Sequence, residues 1–342
     1  REIILSQHLG DMEGFESQET YRKTLKDFLR LYEISPQLVV HDLHPGYFTT
    51  DFAQSLDLPT MAVQHHHAHL AACMLENQIE ESVLGLTWDG TGYGMDGTIW
   101  GGEFLLGDAT GVRRVGTLRQ FGLPGGASAI RETWRIGLSL LWECYGHDLP
   151  KDLPLFQAIN ATRIDVVLQM LDRRINTPVC SSMGRLFDGV SALLGISYNN
   201  THSAQSPQLL ENAAWHHGES ADAVPFPVQA SQHQDDDLLI LDWRVLVKEL
   251  VRDFQRGRSP QELAAVFHHS VAMASMKVIH TIGNDRVVLT GGVFCNRYLT
   301  EIMATGIETH GLTPYIHSQL PPTDGALAAG QLWVAACRQA QN

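Results

Sequence analysis

Short apolar runs alternate with helical stretches through the first eighty residues, and that alternation predicts a parallel sheet with crossover helices. Residues 20–34 have helical periodicity, Leu38-Val39-Val40 reads as a buried strand, 49–56 as a helix, Thr60-Met61-Ala62-Val63 as the next strand and 65–76 as the helix after it. At residue 82 the texture changes to a meander: strands at 82–88, 98–106 and 112–118, the first two joined through a glycine-rich turn, Asp89-Gly90-Thr91-Gly92-Tyr93-Gly94. Helices are predicted over 128–144, 153–175, 184–195, 241–256 and 260–279, and 196–236 reads as a long polar loop or lid. Val287-Val288-Leu289-Thr290 predicts a buried strand, Tyr315-Ile316-His317 the last one, and Asp324 the start of a final helix through Ala336. The opening Ile3-Ile4-Leu5-Ser6-Gln7-His8 resembles the middle of a strand, so a chain that starts at Arg1 reads as a fragment with its N-terminal part missing.

The chain has 342 residues, enough for two domains. No apolar run reaches membrane length, and no signal peptide is recognisable. Five cysteines without a CxxC pair fit a reducing cytoplasm and argue against a disulfide framework or zinc ribbon. A formal net charge of −14 disfavours nonspecific binding of nucleic acid, which needs basic surface to neutralise phosphate.

The chemistry gathers in a few short motifs. In His65-His66-His67-Ala68-His69 the first and last imidazoles stand four apart, one turn apart on one helix face, where two rings can share a metal ion. A solvated histidine run is the plainer alternative, and the zinc-protease pattern is broken because position 66 is His rather than Glu. Gly90, Thr91 and Gly92 can bring backbone amides to a phosphate, with Asp89 beside them as a possible metal ligand, or can form an ordinary tight turn. Gly291 and Gly292 follow a strand and let a base or phosphate pass close to the backbone, while Asn296 either bonds a nucleotide or caps the next helix. Asp188, in Gly184-Arg185-Leu186-Phe187-Asp188-Gly189, suits a ribose hydroxyl or the positive end of a helix. Asp324 is a natural N-cap, or the carboxylate missing from a histidine metal site.

In this order, the motifs resemble the TsaD-like branch of the actin/sugar-kinase (ASKHA) superfold. That resemblance implies an α/β chain of two RNase-H-like domains with a nucleotide in the cleft. One is formed by residues 1–80 plus 317–342, with its N-terminal hairpin missing, and the other by 81–316. It also implies a metal held by His65, His69 and Asp324, and related antibiotic O-carbamoyltransferases add a second carboxylate that falls on Asp89. Val63-Gln64-His65-His66-His67-Ala68-His69, Ser6-Gln7-His8-Leu9-Gly10-Asp11, Asp42-Leu43-His44-Pro45, Leu86-Thr87-Trp88-Asp89-Gly90-Thr91-Gly92 and Trp100-Gly101-Gly102-Glu103 look like the C-terminal domain of the HypF carbamoyltransferases, which mature NiFe hydrogenase.

That family implies passage of a carbamoyl group from ATP-derived carbamoyl-adenylate to the C-terminal cysteine of HypE, with AMP leaving. It implies a divalent metal (Fe or Zn, with Mg a further candidate for the nucleotide) and upstream acylphosphatase, zinc-finger and YrdC-like domains. His44 is the candidate general base, with packing or turn capping as the alternative. Arg131 and Arg135 are candidates for phosphate or AMP, or for surface salt bridges. Ala127 stands where the family usually has Asp, and Ser203 where it often has Glu. The competing readings are a tRNA threonylcarbamoyl transferase of the TsaD type, a metalloprotease and a non-enzymatic docking module.

Overall fold

The computed structural model describes residues 2–10, 12–218, 222–231 and 237–341. The chain opens with α1 (Phe15–Leu31), β1 (Val39–Asp42), α2 (Phe48–Gln54), β2 (Thr60–Val63) and α3 (His65–Glu76). The meander is β3 (Val83–Tyr93), β4 (Ile99–Gly107) and β5 (Val112–Leu118), followed by a two-residue β6 (Phe121–Gly122). A helical layer follows: α4 (Ala127–Arg131), α5 (Trp134–Tyr145), α6 (Pro154–Ala158), α7 (Ala161–Arg173), then β7 (Val179–Cys180), α8 (Met183–Leu193) and α9 (Gln205–His217). The last third contains β8 (Val228–Ala230), β9 (Leu239–Leu241), α10 (Arg244–Gln255), α11 (Pro260–Ile282), β10 (Arg286–Thr290), α12 (Arg297–Thr309), β11 (Thr313–Tyr315) and α13 (Leu327–Ala340).

Strands β1 and β2 pair in parallel, Val39 opposite Thr60 and Asp42 opposite Val63, through the crossover helix that their spacing predicts. The main sheet runs β11-β10-β3-β4-β5-β9-β8, with β6 and β7 at the end of β4. It is mixed: β10 is parallel to both β3 and β11, while β3, β4 and β5 are antiparallel neighbours. β3 from Val83 to Trp88 and β10 from Val287 to Thr290 are buried at every position and mostly apolar, as strands covered on both faces are.

Helix α3 starts where the Gln64 side chain accepts from the His67 amide, at 2.9 Å. Every residue from His65 to Met74 is buried, so α3 is a core helix despite its four histidines. It lies between the main sheet and α13. A Cβ on Gly330 of α13 would stand 1.9 Å from the Ala68 carbonyl, so the two backbones cross in direct contact and only glycine fits there.

The structure departs from the sequence expectations at several points. Residues 2–10 form no strand and pair with none among the described residues, and an unpaired strand leaves its backbone groups unsatisfied. Asp89 to Tyr93 are not the hairpin turn but continue β3, with a register irregularity between Trp88 and Gly92. The turn itself falls at 94–98, where the Gly94 amide donates to the Thr98 carbonyl. The predicted helices 128–144 and 153–175 are each broken, the second at Ile159-Asn160, where Asn160 caps α7. The loop expected over 196–236 contains α9, whose Leu210 and Ala214 are fully buried. Its Gln- and Asp-rich part at 232–236, residues 219–221 and Asp11 lie outside the described residues. No helix among the described residues is long and apolar enough to cross a membrane.

Candidate active site

The register of β1 on β2 sets the first contact. It ends both strands together, so Asp42 leaves β1 beside the start of α3. Asp42 Oδ2 lies 2.9 Å from His65 Nδ1, and its Oδ1 accepts from the His44 amide at 2.8 Å. A carboxylate on one ring nitrogen fixes the tautomer and aims the other nitrogen outward. His65 Nε2 accordingly lies 3.2 Å from Asp89 Oδ2 and 3.6 Å from Asp324 Oδ1. One turn later His69 Nε2 lies 3.5 Å and 3.4 Å from the same two oxygens. One donor atom from each of His65, His69, Asp89 and Asp324 falls within 4.8 Å of all the others.

The electrostatics of this group follow from burial against charge. Burial opposes a charged His65, but the hydrogen bonds to Asp42 and Asp89 and the charge of Asp324 outweigh it and push the pKa up to about 10. Burial likewise opposes ionisation of Asp89, yet the two imidazoles hold its carboxyl well below the usual range. His69 is completely buried; among the described residues its Nδ1 has no hydrogen-bond partner, and its Nε2 has only the two longer carboxylate contacts. Two carboxylates and two imidazoles converging on one point, one imidazole meeting both carboxylates only at 3.4–3.5 Å, fit a divalent cation in the place that protons otherwise fill. Mixed nitrogen and oxygen donors suit Fe(II) or Zn(II).

Beside this point opens a cleft of about 470 Å³ that Asp89 and Asp324 help to line. Gly90, Gly292 and Asn296 line it; Thr91, Gly92, Gly291 and Asp188 do not. Gly92 instead makes room for the histidines, since a Cβ there would stand 2.4 Å from His66 and 2.8 Å from His65. Gly291 has φ +97° and packs on the Trp88 carbonyl, 2.2 Å from where a Cβ would sit, which leaves the next amide, Gly292, 3.3 Å from Asp89 Oδ1. Asn296 caps α12 by accepting from the Leu299 amide at 2.9 Å, and its own amide nitrogen faces His268. Asp188 is fully buried in the middle of α8, beyond the reach of the helix N-terminus, and burial raises its pKa. The cap of α8 is Ser182, whose hydroxyl also reaches the carbonyls of Asp89 and Gly90, at 2.8 and 2.7 Å. Asp324 caps nothing with its side chain; a short 3₁₀ turn, Asp324–Ala326, precedes α13.

Three functional candidates escaped the sequence reading. Asp42 is the first. The second is Arg185, 6% exposed, which pairs with Asp188 at 2.8 Å, lines the cleft and lies 3.2 Å from where a Cβ on Gly90 would be. Its Nε has no hydrogen-bond partner among the described residues. The third is Tyr47, stacked on His44 with ring centres 4.1 Å apart, whose phenol is pushed up by burial and by the charges of Asp42, Asp324 and Asp89. The signal for Asp42 was the acidic end of a strand parallel to the one feeding the histidines. Nothing local marks Arg185, because its role comes from burial.

His44 Nδ1 accepts from the Gly46 amide at 3.0 Å, so the neutral ring carries its proton on Nε2 and offers a donor there. Arg131 and Arg135 do not line the cleft; Arg135 pairs with Glu132 and faces the Pro124 carbonyl.

Comparison with known proteins places this geometry. Residues 85–331 match the family described as "Carbamoyltransferase, Kae1-like Domain, second subdomain", and residues 1–76 match the "HypF Kae1-like domain". The chain is 37% identical to Carbamoyltransferase HypF of Synechocystis sp. over 97% of its own length and 44% of that protein's. It is 34% identical to a Carbamoyltransferase HypF homolog of Cupriavidus necator, covering 98% of this chain and 86% of the relative. A crystal structure of full-length HypF in the phosphate- and nucleotide-bound form superposes with a TM-score of 0.88 at 32% identity, over 96% of this chain and 51% of that one. T. kodakarensis HypF superposes with a TM-score of 0.85 at 27% identity, over 98% and 45%. The chain thus spans about half the length of most of these relatives, and its α/β architecture is the Kae1-like, TsaD-like fold.

Proposed function

This chain belongs to the HypF carbamoyltransferase family, and from that premise we propose that it transfers a carbamoyl group from carbamoyl-adenylate to the C-terminal cysteine thiol of HypE, on the route to the cyanide ligand of NiFe hydrogenase. The observation that carries the proposal is the convergence of His65, His69, Asp89 and Asp324, the two carboxylates lining a cleft that the buried Arg185 also lines. His65, His69, Asp89 and Asp324 would hold a divalent metal, Fe or Zn, which when bound would supply Lewis-acid polarisation of the carbamoyl carbonyl. Asp42 orients His65. Arg185 and the backbone about Gly90 and Gly292 take the phosphate of the adenylate, a role that a buried guanidinium with a free Nε suits. Asp188 holds Arg185 in place, so its link to the nucleotide is through that ion pair.

In the transfer, the thiol sulfur bonds to the carbamoyl carbon and the bond from that carbon to the phosphoryl oxygen breaks. AMP leaves with that oxygen, and the thiol proton goes to the departing phosphate. His44 does not line the cleft and acts as a hydrogen-bond donor rather than as a general base, because its Nδ1 lone pair is already engaged. Residues 1–80 with 317–342 form one lobe and 81–316 the other. The adenylate is made by a YrdC-like domain of the full-length protein, which also carries zinc-finger and acylphosphatase domains, in the cytoplasm.

The test is the intact mass of HypE after incubation with this chain, Zn²⁺ or Fe²⁺ and carbamoyl-adenylate. A carbamoyl adduct on the terminal cysteine, absent with a His65→Ala/His69→Ala protein, supports transfer and metal site together. An adduct that survives the double substitution rejects the metal's part in it. If no adduct forms with this chain, nor with a full-length HypF treated alike, the acceptor is wrong.

A further inference from the structure

The helix that carries His65 and His69 ends in Glu76, and one short segment of chain closes around that carboxylate. It accepts from three consecutive backbone amides, those of Ser318, Gln319 (2.7 Å) and Leu320 (3.1 Å). The Ser318 hydroxyl (2.8 Å) and His317 Nδ1 (3.0 Å) add two more contacts. Successive amides turned toward one anion make a nest, and here the anion is the protein's own side chain. Both Glu76 and His317 side chains are 3% exposed. The other nitrogen of His317 lies 2.9 Å from Thr290 Oγ1, which is itself 3.1 Å from the His69 carbonyl, so the enclosed segment is tied back to the turn of α3 that bears the second histidine.

Asp324 stands four residues beyond this nest. Pro321 and Pro322 fill the interval with fixed φ angles, and the Pro322 carbonyl accepts from the Gly291 amide at 3.0 Å. The Asp324 side chain is 64% exposed and makes polar contact only with His65 and His69 among the described residues. Beyond those two contacts its side chain is held by nothing else among the described residues; its backbone is placed by the segment before it and by the 3₁₀ turn and α13 after it, which pack on α3.

We propose that Glu76 is a positioning residue for the metal centre: by capturing residues 317–320 it sets the approach of Asp324, so that one helix supplies two ligands directly and presents a third through its last carboxylate. The proposal rests on the metal reading given above. Glu76 touches neither metal nor substrate, and its effect passes entirely through Asp324.

Binding of Co²⁺ to the stripped protein tests it, followed by visible absorption, which reports the ligand set, and by competition with Zn²⁺. Glu76→Ala and the gentler Glu76→Gln are compared with Asp324→Ala and the double variant, all checked for folding by circular dichroism. Loss of an outer-shell partner weakens metal binding ~10-fold or more, so Glu76→Ala binds at least ~10-fold more weakly than wild type, with the Co²⁺ spectrum of Asp324→Ala. The Glu76→Ala/Asp324→Ala protein binds no more weakly than Asp324→Ala alone. A Glu76 variant with wild-type spectrum and affinity overturns the proposal, as does a double variant whose two losses multiply. If wild type takes up no Co²⁺, the metal reading fails first. If Glu76→Ala does not fold, the same comparison is made with Glu76→Gln, which keeps the side chain's shape and loses the anion.

Discussion

Asp42 binds nothing itself, yet the geometry assigns it control of His65. Asp42→Asn keeps the shape and the His44 contact but loses the anion behind the imidazole. Metal affinity is expected to fall ~10–100-fold while all four ligands remain, measured by competition with a chromophoric chelator. Arg185 makes a different prediction. Arg185→Met paired with Asp188→Asn, which avoids leaving a buried charge alone, should weaken AMP by ~10-fold or more and adenosine hardly at all, since a hydrogen bond to a charged group contributes about 1.5–3 kcal/mol. Calorimetric titration with the two ligands decides it, and equal losses for both would move Arg185 away from the phosphate. At this scale the sequence was legible where chemistry and spacing coincide. His65 and His69 are four apart on a helix that the pattern predicts, and they do share one face. Asp42 and Arg185 were not legible as site residues because their meaning lies in contacts with residues 23 and more positions away.

At the scale of elements, α3 is held on two sides. Its crossing with α13 at Gly330 leaves no space for a methyl group. In an exposed helix, Gly→Ala stabilises by about 1 kcal/mol, but here the added carbon meets a backbone carbonyl, and overpacking costs about 1–3 kcal/mol. Gly330→Ala should therefore lower stability in urea unfolding and loosen the metal site, whose ligands flank the crossing. The end of α3 responds to acid. Burial opposes ionisation of Glu76, but the amides and hydroxyl around it prevail and lower its pKa to about 2. A carboxyl depressed in the folded state contributes stability above its unfolded pKa of about 4.3 and loses it as pH falls toward about 2. The stability difference between wild type and Glu76→Gln should thus be full at pH 7 and close between about pH 4.5 and 2, read from urea unfolding at each pH. The elements that the pattern placed well, α3, β3 to β5, β10 and α11, are long or strongly apolar. The missed helix α9 is polar on one side, with Gln205, Gln208, Glu211 and Asn212 between its buried positions, and it is tertiary packing on α11 that makes it a helix.

For the whole molecule, the proposed ligand set draws on residues 65, 69, 89 and 324, so an ion bound there would tie distant parts of the chain together. A ligand that binds only the folded state stabilises by about 2.7 kcal/mol at a hundredfold excess over its Kd. Zn²⁺ should raise the melting temperature of the chelator-treated protein by several degrees, measured by differential scanning fluorimetry, and the His65→Ala/His69→Ala protein should show no such rise. The α/β class and the order of the longer strands and helices were readable from the alternation of apolar runs, whereas α9, the short strands β6 to β9 and the placement of β10 between β3 and β11 were not, since short segments carry little pattern and no local signal specifies which strands become neighbours. That placement shapes how the protein reaches its native state. β3 finds β4 within a few residues, but its other edge waits for Val287 to Thr290, two hundred positions later. Until then a long apolar strand shows a row of unpaired amides to its surroundings. Two unfinished chains can satisfy that edge with each other, so crowding during refolding should reduce the yield of native protein well before it changes the rate at which any one chain folds.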